Sequence, residues 1–410
     1  MTTLWVISAG PEACPVIERA QAMGLRVVAS DVRPEAPGLA LADHAVVASV
    51  YDPDDTLAAA RRWAAVEGAP DGVLCAAADA PLTAARLAAE FGLLGVSETT
   101  ARLATDKLAM KRRLVDDGVP VPWFHEVRDA RHLATLVEKE GLALVVKPVD
   151  SRGARGVIRI ENDLPLDWAY AQARGHSPTG RVMVERFLSG PQVSTESIVL
   201  EETVETPGIA DRNYEFLERF APFVVENGGQ LPTLLGPGPK DQTRYVVKRA
   251  AESLGFASGV AKGDIVVHDG RAIVIEMAAR LSGGYLCSHH IPLSTGVDFV
   301  GAAIRQAVGE EVEAEELRPR HELGVAQRFL FPEPGRVVRV RGQAEAAARL
   351  DVALLEVRVG PGDEVGPIEN HPCRAGLVIA HAETREAAVR AAETAAASVQ
   401  IETLPAEPAA

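Results

Sequence analysis

Positive charge is scarce in this chain. Lysine and arginine number 42 against 57 aspartates and glutamates, for a net charge of −15. Phosphate contacts dominate nucleic-acid binding and need a basic surface, so that class of partner is set aside. Cysteine is scarcer still. Cys14, Cys75, Cys287 and Cys373 lie far apart without metal-ligand spacing. That pattern opposes a disulfide framework and fits a reducing compartment. Long apolar runs are also missing, and no stretch approaches the ~18 residues a membrane span needs. The run Leu4–Ile7 has no basic region before it and stops at Ser8-Ala9-Gly10, too soon for a signal peptide. The expectation is a cytoplasmic protein with neither nucleic-acid nor membrane partners.

What is present describes a globular enzyme-sized chain. Hydrophobic residues make up 47% and charged residues 24%, enough to build a core. At about 150 residues per domain, 410 residues predict two or three domains. Strand-like runs at Leu4–Ile7, Arg26–Ser30, Ala45–Ala48 and Gly72–Ala76 alternate with amphipathic helices such as Thr56–Glu67 and Pro81–Glu90. This pattern predicts a Rossmann-like parallel sheet over residues 1–105. After its first strand the chain reads Gly10-Pro11-Glu12, without the spaced glycines of a dinucleotide site. A nicotinamide dehydrogenase is therefore disfavoured.

A helix is expected over Ala101–Asp117, then a hinge at Gly118-Val-Pro-Val-Pro122. Mixed helix and sheet follow to residue 311, and the glutamate-rich Gly309–Leu317 reads as a linker. A smaller α+β unit is expected over 312–410, with strands near Ala326–Phe331, Val337–Arg341, Leu354–Val359 and Ala375–Ala380. A helix at Thr384–Ser398 and a frayed tail from Pro405 complete it.

Two constellations carry chemistry. Lys147 ends the apolar strand Leu142–Lys147, and Ser151-Arg152-Gly153-Ala-Arg-Gly156 follows. A lysine at a strand end beside flexible glycines offers a point charge and backbone N–H groups to phosphate oxygens. Downstream, Asp264 and Glu276 flank Asp269-Gly270 in two β-branched runs, a hairpin signal. With a three-residue loop, Asp269–Arg271, these carboxylates face each other about 5 Å apart, a place for Mg²⁺ or Mn²⁺. With a two-residue loop they would face opposite sides of the sheet.

In order and context these pieces resemble the ATP-grasp family of carboxylate–amine ligases. The resemblance implies a three-domain fold: an N-terminal Rossmann-like domain (1–105), an ATP-grasp core (106–311, with a lid at about 118–185) and a C-terminal domain (312–410). It implies that Lys107, in Thr105-Asp-Lys-Leu-Ala-Met-Lys-Arg-Arg113, reaches the α-phosphate. It implies that Glu185-Arg186-Phe187-Leu188 forms the adenine hinge. The ribose position holds Gln192 where the family has a carboxylate, and Glu196 on the same strand face is expected to compensate. Asp264 and Glu276 would hold the metal on the β- and γ-phosphates, and Arg280 would stabilise the transferred phosphoryl group. In Glu276-Met-Ala-Ala-Arg280, Ala278 replaces the usual asparagine, a variant similar to bacterial L-amino-acid ligases that make dipeptides. Glu226 would face the amine substrate. The N–H groups of Ser282-Gly283-Gly284 would bind a carboxylate or oxyanion. The activity implied is ADP-forming ligation of a small carboxylate to an amine through an acyl phosphate, with a homodimer possible in such a family. The alternatives are a bicarbonate-using carboxylase and a non-catalytic ATP sensor.

Overall fold

The computed structural model describes residues 1–201 and 203–405. The tail expected from Pro405 onward otherwise lies outside them.

Near the N-terminus four parallel strands form a sheet in the order His44–Val47, Arg26–Asp31, Thr3–Ile7, Gly72–Cys75. The central strand is buried along its whole length because helices cover both faces, which is why it reads as a continuous apolar run. The helix expected over 101–117 is two helices, Glu98–Leu103 and Lys107–Asp116. Asp106 interrupts it: its backbone is extended and its carboxylate accepts the Ala109 N–H at 2.8 Å. This N-cap starts the second helix at Lys107.

Residues 124–186 carry a separate antiparallel sheet, ordered Phe124–Val127, Val182–Arg186, Leu144–Pro148, Ile158–Arg159. Helices Ala130–Glu140 and Leu166–Gly175 pack on it around Leu133, Val146, Ile158 and Val184.

The largest sheet has eight strands: Arg271–Ala278, Gly259–His268, Gln192–Val199, Val204–Asn213, Gly228–Leu231, Gly324–Leu330, Gly376–Ala382 and Val352–Val357. It runs without interruption from the hairpin into the segment expected to stand apart as a third unit, because Gly228–Leu231 pairs with Gly324–Leu330. The predicted linker is a short 3₁₀ turn, Ala314–Leu317, anchored by buried Leu317. Among the described residues no helix is long and apolar enough to cross a membrane.

Candidate active site

A cleft of about 900 Å³ opens where the three sheets just described meet, away from a fourth, three-stranded sheet of Glu364–Val365, Gly335–Arg341 and Gln400–Leu404. Its walls include Lys107, Lys147, Ser151, Arg152, Gly153, Glu185, Arg186, Phe187, Leu188, Gln192, Glu226, Asp264, Glu276, Arg280, Ser282, Gly283 and Gly284. Gly156, expected in the phosphate loop, does not line it. Its φ is +69°, and an added Cβ would meet Gln172 O, His176 Cβ and Pro148 Cγ at 3.1 Å each. That glycine is required by close packing of the loop on its neighbours.

The hairpin corrects its predicted register. Asp269 and Gly270 both have positive φ (+48° and +75°), and His268 pairs with Arg271. This is the two-residue turn that Asp-Gly favours. The pairing Ile265–Val274 would then put Asp264 opposite Ile275. Instead a β-bulge leaves Ile275 unpaired and sets Asp264 opposite Glu276. The bulge restores the shared face that the turn alone would have lost. Asp264 accepts the Ser194 hydroxyl at 2.6 Å, is bonded by Lys262, and lies 3.5 Å from Arg212. Burial pushes its carboxyl up, but Lys262 and Arg212 outweigh this and hold it well below the usual range. Glu276 pairs with Lys107 at 3.3 Å. Two facing carboxylates whose partners are cations and a hydroxyl make an oxygen-donor pair suited to a hard divalent ion.

The lysines are arranged around one buried acid. Lys147 donates to Glu185 at 2.5 Å, while Lys111, fully buried, approaches its other oxygen at 3.0 Å. Burial raises the Glu185 carboxyl, yet Lys111 and Lys147 bring it below its ordinary value. Its side chain is therefore engaged by two lysines where it lines the cleft. Burial lowers the Lys111 amine to about 8 against the pull of Glu185. Lys107 also donates to Ser151 O at 2.7 Å, tying the helix start to the glycine loop.

At the other end the partners are arginines. Arg280 donates to Asp79 at 2.6 Å, and Arg212 donates to Glu226 at 2.5 Å. Arg374 donates to Glu226 O at 2.7 Å and stacks 3.6 Å over Phe329, with its Nε buried and unpartnered. Burial lowers its guanidinium to about 10. The Ser282–Gly284 loop does bind carboxylates, but these are the protein's own. Ser282 N–H and Oγ–H go to Glu196, and Gly284 N–H goes to Glu12 at 3.0 Å. Glu196 is thus buried behind the loop, pushed up to about 7 by burial, and does not compensate for Gln192. Sequence reading missed Lys111, Asp79, Arg212 and Arg374. Only Lys111 carried a signal, four residues after Lys107 on one helix face.

Among the described residues no group of three or more histidines, cysteines and carboxylates is placed to hold a metal. The Asp264–Glu276 pair would need ligands from a bound molecule to complete a shell.

Comparison with known proteins agrees with this geometry. A model of the ATP-grasp domain matches residues 104–284, and one of the L-amino acid ligase C-terminal domain 2 matches residues 328–404. The chain is 26% identical over 326 residues to the uncharacterized protein y4rH of Sinorhizobium fredii, covering 77% of this chain and 65% of that one. It spans 46 to 65% of the length of the curated relatives it matches. Its fold is similar to the crystal structure of L-amino acid ligase from Bacillus licheniformis (TM-score 0.83, 22% identity, 98% of this chain and 99% of that one). It is also similar to the biotin carboxylase domain of Hydrogenobacter thermophilus 2-oxoglutarate carboxylase, solved with MgADP and bicarbonate (TM-score 0.73, 20% identity, 98% and 90%).

Proposed function

We propose, from the premise that this chain belongs to the ATP-grasp superfamily of ligases, that it activates a small carboxylate with ATP and joins it to an amine. The observation that carries this reading is the convergence of Lys107, Lys147, Asp264, Glu276 and Arg280 on one cleft. ATP with Mg²⁺ is the superfamily's cofactor pair. A divalent ion held by Asp264 and Glu276 would neutralise phosphate charge as it develops.

The rest falls to the chain. Lys107 and Lys147 hold phosphates as point charges, and the Ser151–Gly153 stretch closes over them. A carboxylate oxygen attacks the γ-phosphorus, the bond to the bridging oxygen breaks and ADP leaves. Arg280, held in plane by Asp79, presents its remaining donors to the transferred group. The amine nitrogen then attacks the acyl carbon, loses a proton, and phosphate departs with its oxygen. Glu226 and Arg374 belong to the amine side. Water must be kept from the acyl phosphate, which assigns closure to the 124–186 sheet. An amino acid as the carboxylate is the finer reading, supported by the likeness of residues 328–404 to an L-amino acid ligase domain. A cytoplasmic location and a homodimer are proposed with it.

ADP and phosphate release, screened across pairs of amino acids and small carboxylates, tests this. Release that needs a particular pair, with the condensed product seen by mass, supports it. Release that needs bicarbonate alone points to carboxylation, and AMP with pyrophosphate refutes the mechanism.

A further inference from the structure

We infer that Lys111 is a positioning residue that holds the hairpin bulge and so keeps Glu276 on the metal-facing side. The inference rests on the reading of Asp264 and Glu276 as a metal pair. Lys111 itself does not line the cleft and is fully buried. It touches no ligand and acts only through what it holds.

A two-residue turn dictates a register in which Asp264 meets Ile275, and every residue from Ile265 to His268 obeys it. The register changes at a single place, where Ile275 drops out of the ladder. The Lys111 ammonium donates to the Ile275 carbonyl at 2.9 Å. A bulged residue with a satisfied carbonyl is retained, whereas a buried carbonyl left without a donor is costly. Were the ladder to slip back to its regular register, Glu276 would turn to the opposite face and Ile275 would take its place beside Asp264. The same ammonium lies 3.0 Å from Glu185, the acid that bonds Lys147. One buried cation therefore joins the metal hairpin to the phosphate lysine. Its helix supplies Lys107 to Glu276 one turn earlier, so two lysines from successive turns hold the adjacent residues Ile275 and Glu276.

Binding of Mn²⁺ with ADP, followed by electron paramagnetic resonance, reads this without any turnover. Lys111→Met should weaken Mn²⁺ binding about tenfold or more, as loss of an outer support to a metal ligand does. Lys111→Arg, which keeps a donor and a charge, should recover most of it. Arg112→Met, a neighbour on the same helix whose side chain is exposed and pairs with Glu126, should leave Mn²⁺ affinity unchanged. Should Lys111→Met not fold, Lys111→Gln, polar but too short to span the gap, takes its place under the same outcomes. Wild-type Mn²⁺ affinity in Lys111→Met, or an equal loss in Arg112→Met, overturns the inference. Absence of Mn²⁺ binding by the wild type sinks it together with the metal pair. Failure to ligate any substrate, with these affinities as expected, counts against the ligase reading alone.

Discussion

The two ends of the cleft use different cations. The nucleotide end is built on lysines, Lys107, Lys111 and Lys147, which share Glu185 and Glu276 between them. The other end is built on arginines: Arg280 joined to Asp79, and Arg212 to Glu226 at 2.5 Å and to Asp264 at 3.5 Å. A lysine is a movable point charge that follows the oxygens of a flexible phosphate chain. A guanidinium is a rigid fork that keeps its shape whether or not a ligand is present. The first end is suited to a partner that arrives, is cut and leaves as ADP. The second is a pre-formed set of forks, which the proposed function gives to the small substrates.

The sharpest way to break this contrast is to remove Arg280. Arg280→Ala should lower kcat about 10²- to 10³-fold, the loss seen when one donor to a developing oxyanion is removed. ADP affinity, measured calorimetrically, should stay near wild type. A large fall in ADP affinity would move Arg280 to the nucleotide end.

Next in size is a pH effect behind the arginine end. Burial raises the Glu196 carboxyl from 4.5 to about 7. A raised carboxyl favours the folded state fully below pH 4.5 and loses that contribution as pH climbs through 7. The loss amounts to ~3 kcal/mol at most. Urea midpoints at pH 5 and pH 8 should fall for the wild type and stay level for Glu196→Gln. Parallel slopes in both proteins would mean that Ser282 keeps Glu196 ionised throughout.

Arg374→Met should raise KM for the amine substrate by about tenfold to a hundredfold, the worth of one charged hydrogen bond. KM for ATP should not move. Equal rises in both would erase the division between the ends. Smallest is Gly156→Ala, which should cost ~1–2 kcal/mol of stability through its left-handed backbone and close neighbours. Its nucleotide affinity should be unchanged, as a thermal melt with and without ADP would show.

These contrasts also govern how much of the molecule is legible in its sequence. The nucleotide end is written in contiguous phrases, Thr105–Arg113, Lys147–Gly156, Glu185–Gln192 and the Asp264–Glu276 hairpin, where local geometry constrains each side chain. The parallel N-terminal sheet was legible for the same reason, since alternating strand and helix leave few topologies. The arginine end joins Glu12, Asp79, Arg212, Glu226 and Arg374, which no local pattern connects. The hairpin shows where local reading fails. Its turn type was encoded in Asp-Gly, but its register depended on a lysine 164 residues away. The role foreseen for Glu196 failed similarly, because strand alternation gives a face and says nothing of Ser282 lying against it.

The uninterrupted eight-stranded sheet has a mechanical consequence. Parting the hairpin region from residues 324–382 would tear the ladder between Gly228–Leu231 and Gly324–Leu330, so the two move as a single frame. The 124–186 sheet shares no strand with that frame and is hung from it like a shutter. Besides the Lys107 bond to Ser151 O, its glycine loop is latched where the His371 N–H donates to Gly153 O at 3.0 Å. Because that latch is backbone to backbone, it uses no atom of the His371 side chain. Proline, which has no N–H to give, is the substitution that would undo it.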